Sequence, residues 1–163
     1  MSGARRLLLL GGMALAAWGM GYGLWYAVFA EHQALDGMGA SLTELFSAGA
    51  QRNDAAAQAA LEQYKEAKYD YDRQVDAHGH WIGLALLLVV LGIGFDRINF
   101  SERSKVLLAM GLLAGAFLFP LGVWLETLSH GPFPRGVAIA GSALMIAALA
   151  MAILGFAREK SRG

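Results

Sequence analysis

The sequence predicts an all-α integral membrane protein with four transmembrane helices and an external helical hairpin between the first and the second. Three observations predict this. Hydrophobic residues make up 56% of the 163-residue chain, and the mean hydropathy is +0.45. That apolar character is gathered into four charge-free stretches, residues 7–30, 77–95, 106–125 and 136–157. Each approaches the ~20 residues that cross a ~30 Å hydrocarbon core, and backbone amides in lipid bond internally only as helices or closed barrels. The one long polar interval, residues 31–76, repeats its apolar residues at helical spacing. The whole chain, residues 1–163, reads as a single membrane domain.

The first span opens with Arg5-Arg6 before Leu7–Leu10, as a secretory signal does, and "ALAA" at Ala14–Ala17 has the form of a cleavage site. A signal's apolar region runs only ~7–15 residues. Here it continues through Trp18, Tyr22, Trp25 and Tyr26 to Phe29, so the segment reads as a retained anchor.

The external segment reads as two helices. Leu35, Met38, Leu42, Leu45 and Phe46 form the stripe of the first. "SLTE" at Ser41–Glu44 has capping-box form, and Gly37 and Gly39 suggest a break just before it. "GAQRND" at Gly49–Asp54 is a turn, with Asn53 or Asp54 as the N-cap of the second helix. That helix carries Leu61, Tyr64, Lys68, Tyr71 and Val75 on one stripe and has an alanine-rich start. With no Gly or Pro before Gly79, it continues into the second span as one rod. Tyr64, Tyr69 and Tyr71 with Lys65, Lys68 and Arg73 read as the amphipathic surface of that rod packing on its hairpin partner.

The remaining connections are short. Ser101 in the loop 96–105 is placed to cap the third span, and "HGPFPRG" at His130–Gly136 turns the chain into the fourth. Pro120 is expected to kink the third span. Gly19-x-x-x-Gly23, Gly111-x-x-x-Gly115 and the alanines of the fourth span allow close helix approach, within the chain or between copies.

Charge sets the expected topology. Arg5, Arg6, Arg97, Arg103, Lys105, Arg158, Lys160 and Arg162 gather on one side of the spans, while most acids lie on the other. The positive-inside rule then places both termini in the cytoplasm of a bacterial inner membrane, with residues 31–76 in the periplasm. The zero net charge and the lack of an extensive basic patch give no reason to expect a nucleic-acid partner. Without cysteine there is no disulfide, thiolate site or covalent c-type haem attachment. No mid-span charge suggests a proton-coupled transporter, and no nucleotide or hydrolase motif is present.

This topology brings His32, His78, His80 and His130 to one membrane edge, with Glu31, Asp76 and Glu126 beside them. Neutral imidazole is the commonest metal ligand, and a neighbouring carboxylate fixes its tautomer. Residues 81–95 alone cover only ~22 Å, so the second span needs His80 at its boundary. Residues two apart on a helix point ~200° from each other, so only one of His78 and His80 faces the bundle. Glu126 and His130 share a face if the third helix reaches His130. These positions suggest a haem b held by His80 and His130. The alternative is a copper or zinc ion held among His78, His80, His130, Glu126 and His32, with Asp76 and Glu31 behind them.

"HGHWIGLALLLVVLGIGF" at His78–Phe95 is similar to the H-x-H helix head of small membrane families distantly related to the haem–copper oxidases. "GLLAGAFLFPLGVWLETLSHG" followed by "GVAIAGSALMIAALAMAILGFAR" resembles small bacterial four-helix membrane proteins without assigned chemistry. The first resemblance implies a histidine-bound cofactor and the second a plain bundle. Two kinds of function are therefore expected. One is haem or metal binding at the periplasmic edge, in electron transfer or metal handling. The other is non-catalytic: an accessory subunit of a larger membrane complex, or a homo-oligomer paired through the external hairpin. Membrane lipid is a partner in both.

Overall fold

In a computed structural model, which describes residues 1–158, the chain folds into five α-helices. These are α1 (Gly3–Phe29), α2 (Glu31–Ala50), α3 (Asp54–Gly94), α4 (Glu102–Leu125) and α5 (Pro132–Ala157), with a 3₁₀ turn at Phe95–Arg97. α1, the apolar half of α3, α4 and α5 are long and apolar enough to cross a membrane. Lys160 and Arg162 lie outside the described residues.

The organising element is one long antiparallel hairpin, with α1 and α2 running up one side and α3 returning down the other. Three contacts set its register. Arg5 meets Asp96 at the end holding the N-terminus (3.2 Å), Gly19 meets His78 (2.9 Å), and Glu31 meets Tyr71 (3.4 Å). The seam follows a seven-residue rhythm. On α3 it is Ala60, Tyr64, Ala67, Tyr71, Gln74, His78, Trp81, Ala85, Leu88 and Gly92, continued by Phe95 of the 3₁₀ turn, all buried or half-buried. On α1 it is Leu8, Gly12, Leu15, Gly19, Tyr22 and Tyr26, and on α2 it is Ala34, Met38, Ser41, Leu45 and Ala48. A 3.5-residue period keeps facing positions against a partner helix. From Tyr26 that rhythm would continue at 29 and 33, yet α2 resumes it at Ala34. One residue is therefore extra, and the chain absorbs it where helix α1 ends, at Ala30.

This places the break differently from the glycine-based expectation. Gly37 and Gly39 lie inside unbroken helix, and Ser41 is no cap: its hydroxyl donates back to the Gly37 carbonyl (2.9 Å). The other expected ends are present. Asn53 Oδ1 accepts from Ala56 N–H (3.2 Å), and Ser101 Oγ accepts from Ser104 N–H (3.3 Å). α2 stops in a Schellman motif, with Asn53 N–H on the Ala48 carbonyl (2.9 Å) and Arg52 N–H on that of Gly49 (3.0 Å). Arg52 sits there at φ 54°, a position usually given to glycine. α3 then runs 41 residues without interruption, passing straight through Gly79.

α4 lies against both α1 and α3, and α5 packs almost wholly on α4. Small residues bring α4 and α5 to backbone contact at three levels. A Cβ on Gly115 would lie 2.8 Å from Met145 N, one on Gly122 would strike the Ala138 backbone, and one on Gly141 the backbone of Leu118 and Phe119. The G-x-x-x-G pairs are thus used within the chain. Gly115 admits α5, while Gly19 admits the Trp81 and Ile82 edge and Gly23 the ring of His78. Pro120 is buried within α4, which runs unbroken through it, and α5 begins at Pro132, where a missing N–H costs no helical bond.

The contacts of α4 end at Glu126 and Thr127, level with Arg73 and Gln74 of α3. Above that level, beyond the contacts of Tyr69 with Glu126 and Asp70 with His130, the hairpin continues alone, as α2 and the first part of α3. At 1.5 Å per residue this tip is about 22 Å long. At the other end Ser2 Oγ and Arg5 both bond Asp96, and Lys105 Nζ bonds the Asp96 carbonyl oxygen (3.2 Å). The hydrogen bond from Ser2 foremost, then that from Arg5, holds the Asp96 carboxyl below the ordinary carboxylate range.

Candidate functional site

Where α4 ends against the hairpin, the apolar seam gives way to a polar band. Its centre is Glu126, only 8% exposed. Tyr69 donates its hydroxyl to Glu126 Oε2 (2.7 Å), and Arg73 Nε lies 3.2 Å from the same oxygen, in ion-pair contact without hydrogen-bond alignment. The Arg73 guanidinium also lies over the Tyr69 ring, 4.9 Å from its centre, and reaches Asp76 at 3.7 Å. A second link crosses all three helices: Tyr22 donates to Gln74, whose amide donates to Thr127 Oγ1 (3.2 Å). Buried polar groups are expensive unless paired, so these links tie α1, α3 and α4 together at one level.

Beside this network, Asp70 and His130 come within 3.7 Å, and the His130 ring lies 5.2 Å from that of Tyr69. Burial pushes the Asp70 carboxyl above its ordinary range; nearby Glu66 pushes the same way, and His130 opposes both. Toward α1, Tyr26 stacks on Tyr22 (6.5 Å) and lies 6.4 Å from Tyr71, whose hydroxyl donates to Glu31 (3.4 Å).

The histidines expected to converge are placed apart. His78, not His80, faces the hairpin seam: its Nδ1 donates to the Gly19 carbonyl, and its ring fills the notch beside Gly23. His80 is exposed, its Nδ1 on the Asp76 carbonyl (2.7 Å) and its ring edge-on to Phe119 (4.8 Å). Phase explains the choice. The seam takes Gln74, His78 and Trp81, and His80 falls one place before it, toward α4.

His130 sits against Asp70, ten residues from His80 along α3, which is about 15 Å of helix. The structure thus sets His130, the other expected haem ligand, at the level of Asp70 and His80 at the level of Phe119. Helix α4 stops at Leu125, so Glu126 and His130 share no helical face; Glu126 turns to Arg73 and Tyr69 instead. His32 is exposed on α2, Asp76 turns to Arg73, and Glu31 turns to Tyr71. Among the described residues no group of three or more His, Asp or Glu side chains converges to hold a metal ion. The expected set His78, His80, His130, Glu126 and His32 is thus spread over about 15 Å of hairpin.

Sequence reasoning missed the band built by Tyr22, Tyr26, Tyr69, Asp70, Arg73, Gln74 and Thr127. Its signal was there: the seam rhythm of α3, carried up from Trp81, selects Gln74 and Tyr71, with Arg73 and Asp70 one place before them. No protein-family model, curated protein or solved structure matches the chain.

Proposed function

We propose that this is a small multi-pass protein of the bacterial inner membrane, with cytoplasmic termini, that works as a non-catalytic assembly element. In this reading it joins a larger membrane complex or a second copy of itself through the free flank of its periplasmic hairpin. The observation that carries this reading is one-sided packing. In an antiparallel helix pair, residues one place before the seam share one side, and those one place after share the other. The "before" residues Gly11, Trp18, Arg73 and His80 all lie toward α4. The "after" residues, among them Met13, Met20, Leu35, Phe46, Val75, Leu86 and Ile93, are exposed along the whole hairpin.

Lipid covers the lower part of that flank in a membrane. It does not reach the tip, where Leu35 (48% exposed) and Phe46 (73% exposed) continue the same apolar line. Apolar surface outside a membrane points to a protein contact. The charge distribution supports the proposed topology. Arg5, Arg6, Arg97, Arg103, Lys105 and Arg158 collect at the termini end, whereas residues 31–76 hold nine acids against four bases.

The test exploits the absence of cysteine. Phe46→Cys on the free flank and Gln63→Cys on the opposite flank are labelled with a maleimide-benzophenone, whose photoreactive end needs no thiol on the partner, and are photocrosslinked in native membranes. The reading predicts a discrete larger product from Phe46→Cys alone, at twice the chain mass for a homo-oligomer or at another mass for a different partner. Equal products from both variants, or none from either, would overturn it. A reduced-minus-oxidised haem band, or bound copper, lost in His80→Ala or His130→Ala would instead replace it with the cofactor reading.

A further inference from the structure

Besides Arg73 Nε, which lies against Glu126, two polar atoms in the band are buried without any hydrogen-bond partner: the Tyr26 hydroxyl and Asp70 Oδ1, the latter 3.7 Å from His130 Nε2. Tyr26 is only 7% exposed, its ring lies against that of Tyr71, and the Tyr71 hydroxyl reaches Glu31 while Asp70 is its neighbour on α3. A buried hydroxyl or carboxylate oxygen without a partner costs about 1–3 kcal/mol. Charge is left open as well. Among the described residues, neither Glu31 nor Asp70 has a lysine or arginine in ion-pair contact. Glu31 receives only the long bond from Tyr71, and the one cationic partner of Asp70 is His130, charged only when protonated. The neighbouring Arg73 is committed to Glu126 and Asp76.

We propose that Tyr26, Glu31, Asp70 and Tyr71 form a binding site for a primary alkylammonium group. An ammonium carries three N–H donors, which matches the acceptors on offer: the Tyr26 hydroxyl oxygen, Asp70 Oδ1 and the Glu31 carboxylate. The tyrosine rings around it, Tyr26 and Tyr71 with centres 6.4 Å apart, favour a cation over a neutral group. A water would satisfy an orphan atom and leave Glu31 without a counter-charge and Asp70 with His130 alone. A divalent metal is a poor match, because hard cations of that kind take six to eight oxygen ligands or an octahedral shell.

The same chemistry has two sources, a soluble amine or an ethanolamine phospholipid. The lipid source rests on the proposed topology, which sets Tyr26 at the outer membrane boundary. The soluble source does not.

The test uses the full chain in detergent, mixed with defined lipids and read by native mass spectrometry. A phosphatidylethanolamine should be retained at least tenfold better than a phosphatidylcholine with the same tails, since trimethylation removes every N–H donor. Phosphatidylglycerol should be retained no better than phosphatidylcholine. Glu31→Gln and Asp70→Asn should each lower the ethanolamine-lipid preference about tenfold, and Tyr26→Phe severalfold. Ethanolamine in solution that displaces the lipid marks a site reading the ammonium alone, and a lipid it fails to displace marks recognition of the whole headgroup.

Equal retention of all three lipids by the parent protein, with no ethanolamine binding, overturns the site. So does a preference that survives in all three variants. The comparison of lipids on the parent protein needs no variant to fold. A wrong topology would show in cysteine labelling while leaving the ethanolamine titration in detergent unchanged.

Discussion

Gly141→Leu is expected to destabilise the fold by about 3 kcal/mol, the upper part of the range for inserting atoms into a filled core. The cause is local. Even a Cβ at this position runs into the backbone of Leu118 and Phe119, and backbone cannot swing aside as a side chain does. The same closeness recurs at Gly122 and Gly115, so relief at one level would have to separate α4 from α5 at all three. α5 has almost no other partner, and its outer residues Ile139, Ile146 and Ile153 are exposed. Its detachment is the expected consequence. Thermal unfolding of the purified protein in detergent measures the loss, and limited proteolysis at the α4–α5 turn reports the detachment. Gly21→Leu is the matched control: nothing lies within 4 Å of a Cβ there, so the midpoint should hold or rise slightly. Equal losses at both positions would show that α4 and α5 are not held by close backbone contact.

The second large effect is expected at Arg73→Ala. Removing the arginine leaves Glu126, 8% exposed, with the Tyr69 hydroxyl as its only described hydrogen-bond donor. Stripping one partner from a buried ion pair costs about 3–5 kcal/mol. Arg73 itself is one-third exposed, which places this case at the lower end. Glu126→Gln should cost less, because it removes the charge together with the need for a counter-charge, and it keeps an acceptor for Tyr69. The double variant should then be more stable than Arg73→Ala alone. That non-additivity is what a double-mutant cycle detects. Additive losses would mean that the two residues act separately and that α3 and α4 are joined there by packing alone.

These two sites show where the sequence was readable and where it was not. Charge-free stretches near twenty residues identify the long apolar helices, because length and composition are local properties. So are the Asn53 and Ser101 caps, where a side chain bonds a backbone N–H three residues on. The α2 break was misread for a related reason. Gly37 and Gly39 carry a local propensity for breaks, but the actual break at Ala30 comes from a mismatch in seam rhythm, visible only when α1 and α2 are fitted against the same partner. Helix geometry alone shows that His78 and His80 cannot both face inward. Choosing His78 requires the phase set by Trp81, Ala85 and Leu88, which the burial of those residues supplies. The Glu126 pairing was beyond local reading altogether. Its partners Tyr69 and Arg73 are more than fifty residues away, and only the antiparallel register of α3 and α4 brings them level.

The central claim, that the hairpin tip stands on the opposite side of the membrane from the termini, is tested most directly by cysteine labelling. The chain has no cysteine of its own, so every label reports the introduced site. Ser47→Cys lies near the hairpin tip and Ser104→Cys at the start of α4, and both positions are exposed. In intact spheroplasts a membrane-impermeant maleimide should label Ser47→Cys at once and Ser104→Cys only after permeabilisation. Labelling of both before permeabilisation, or the reverse order, would contradict the account.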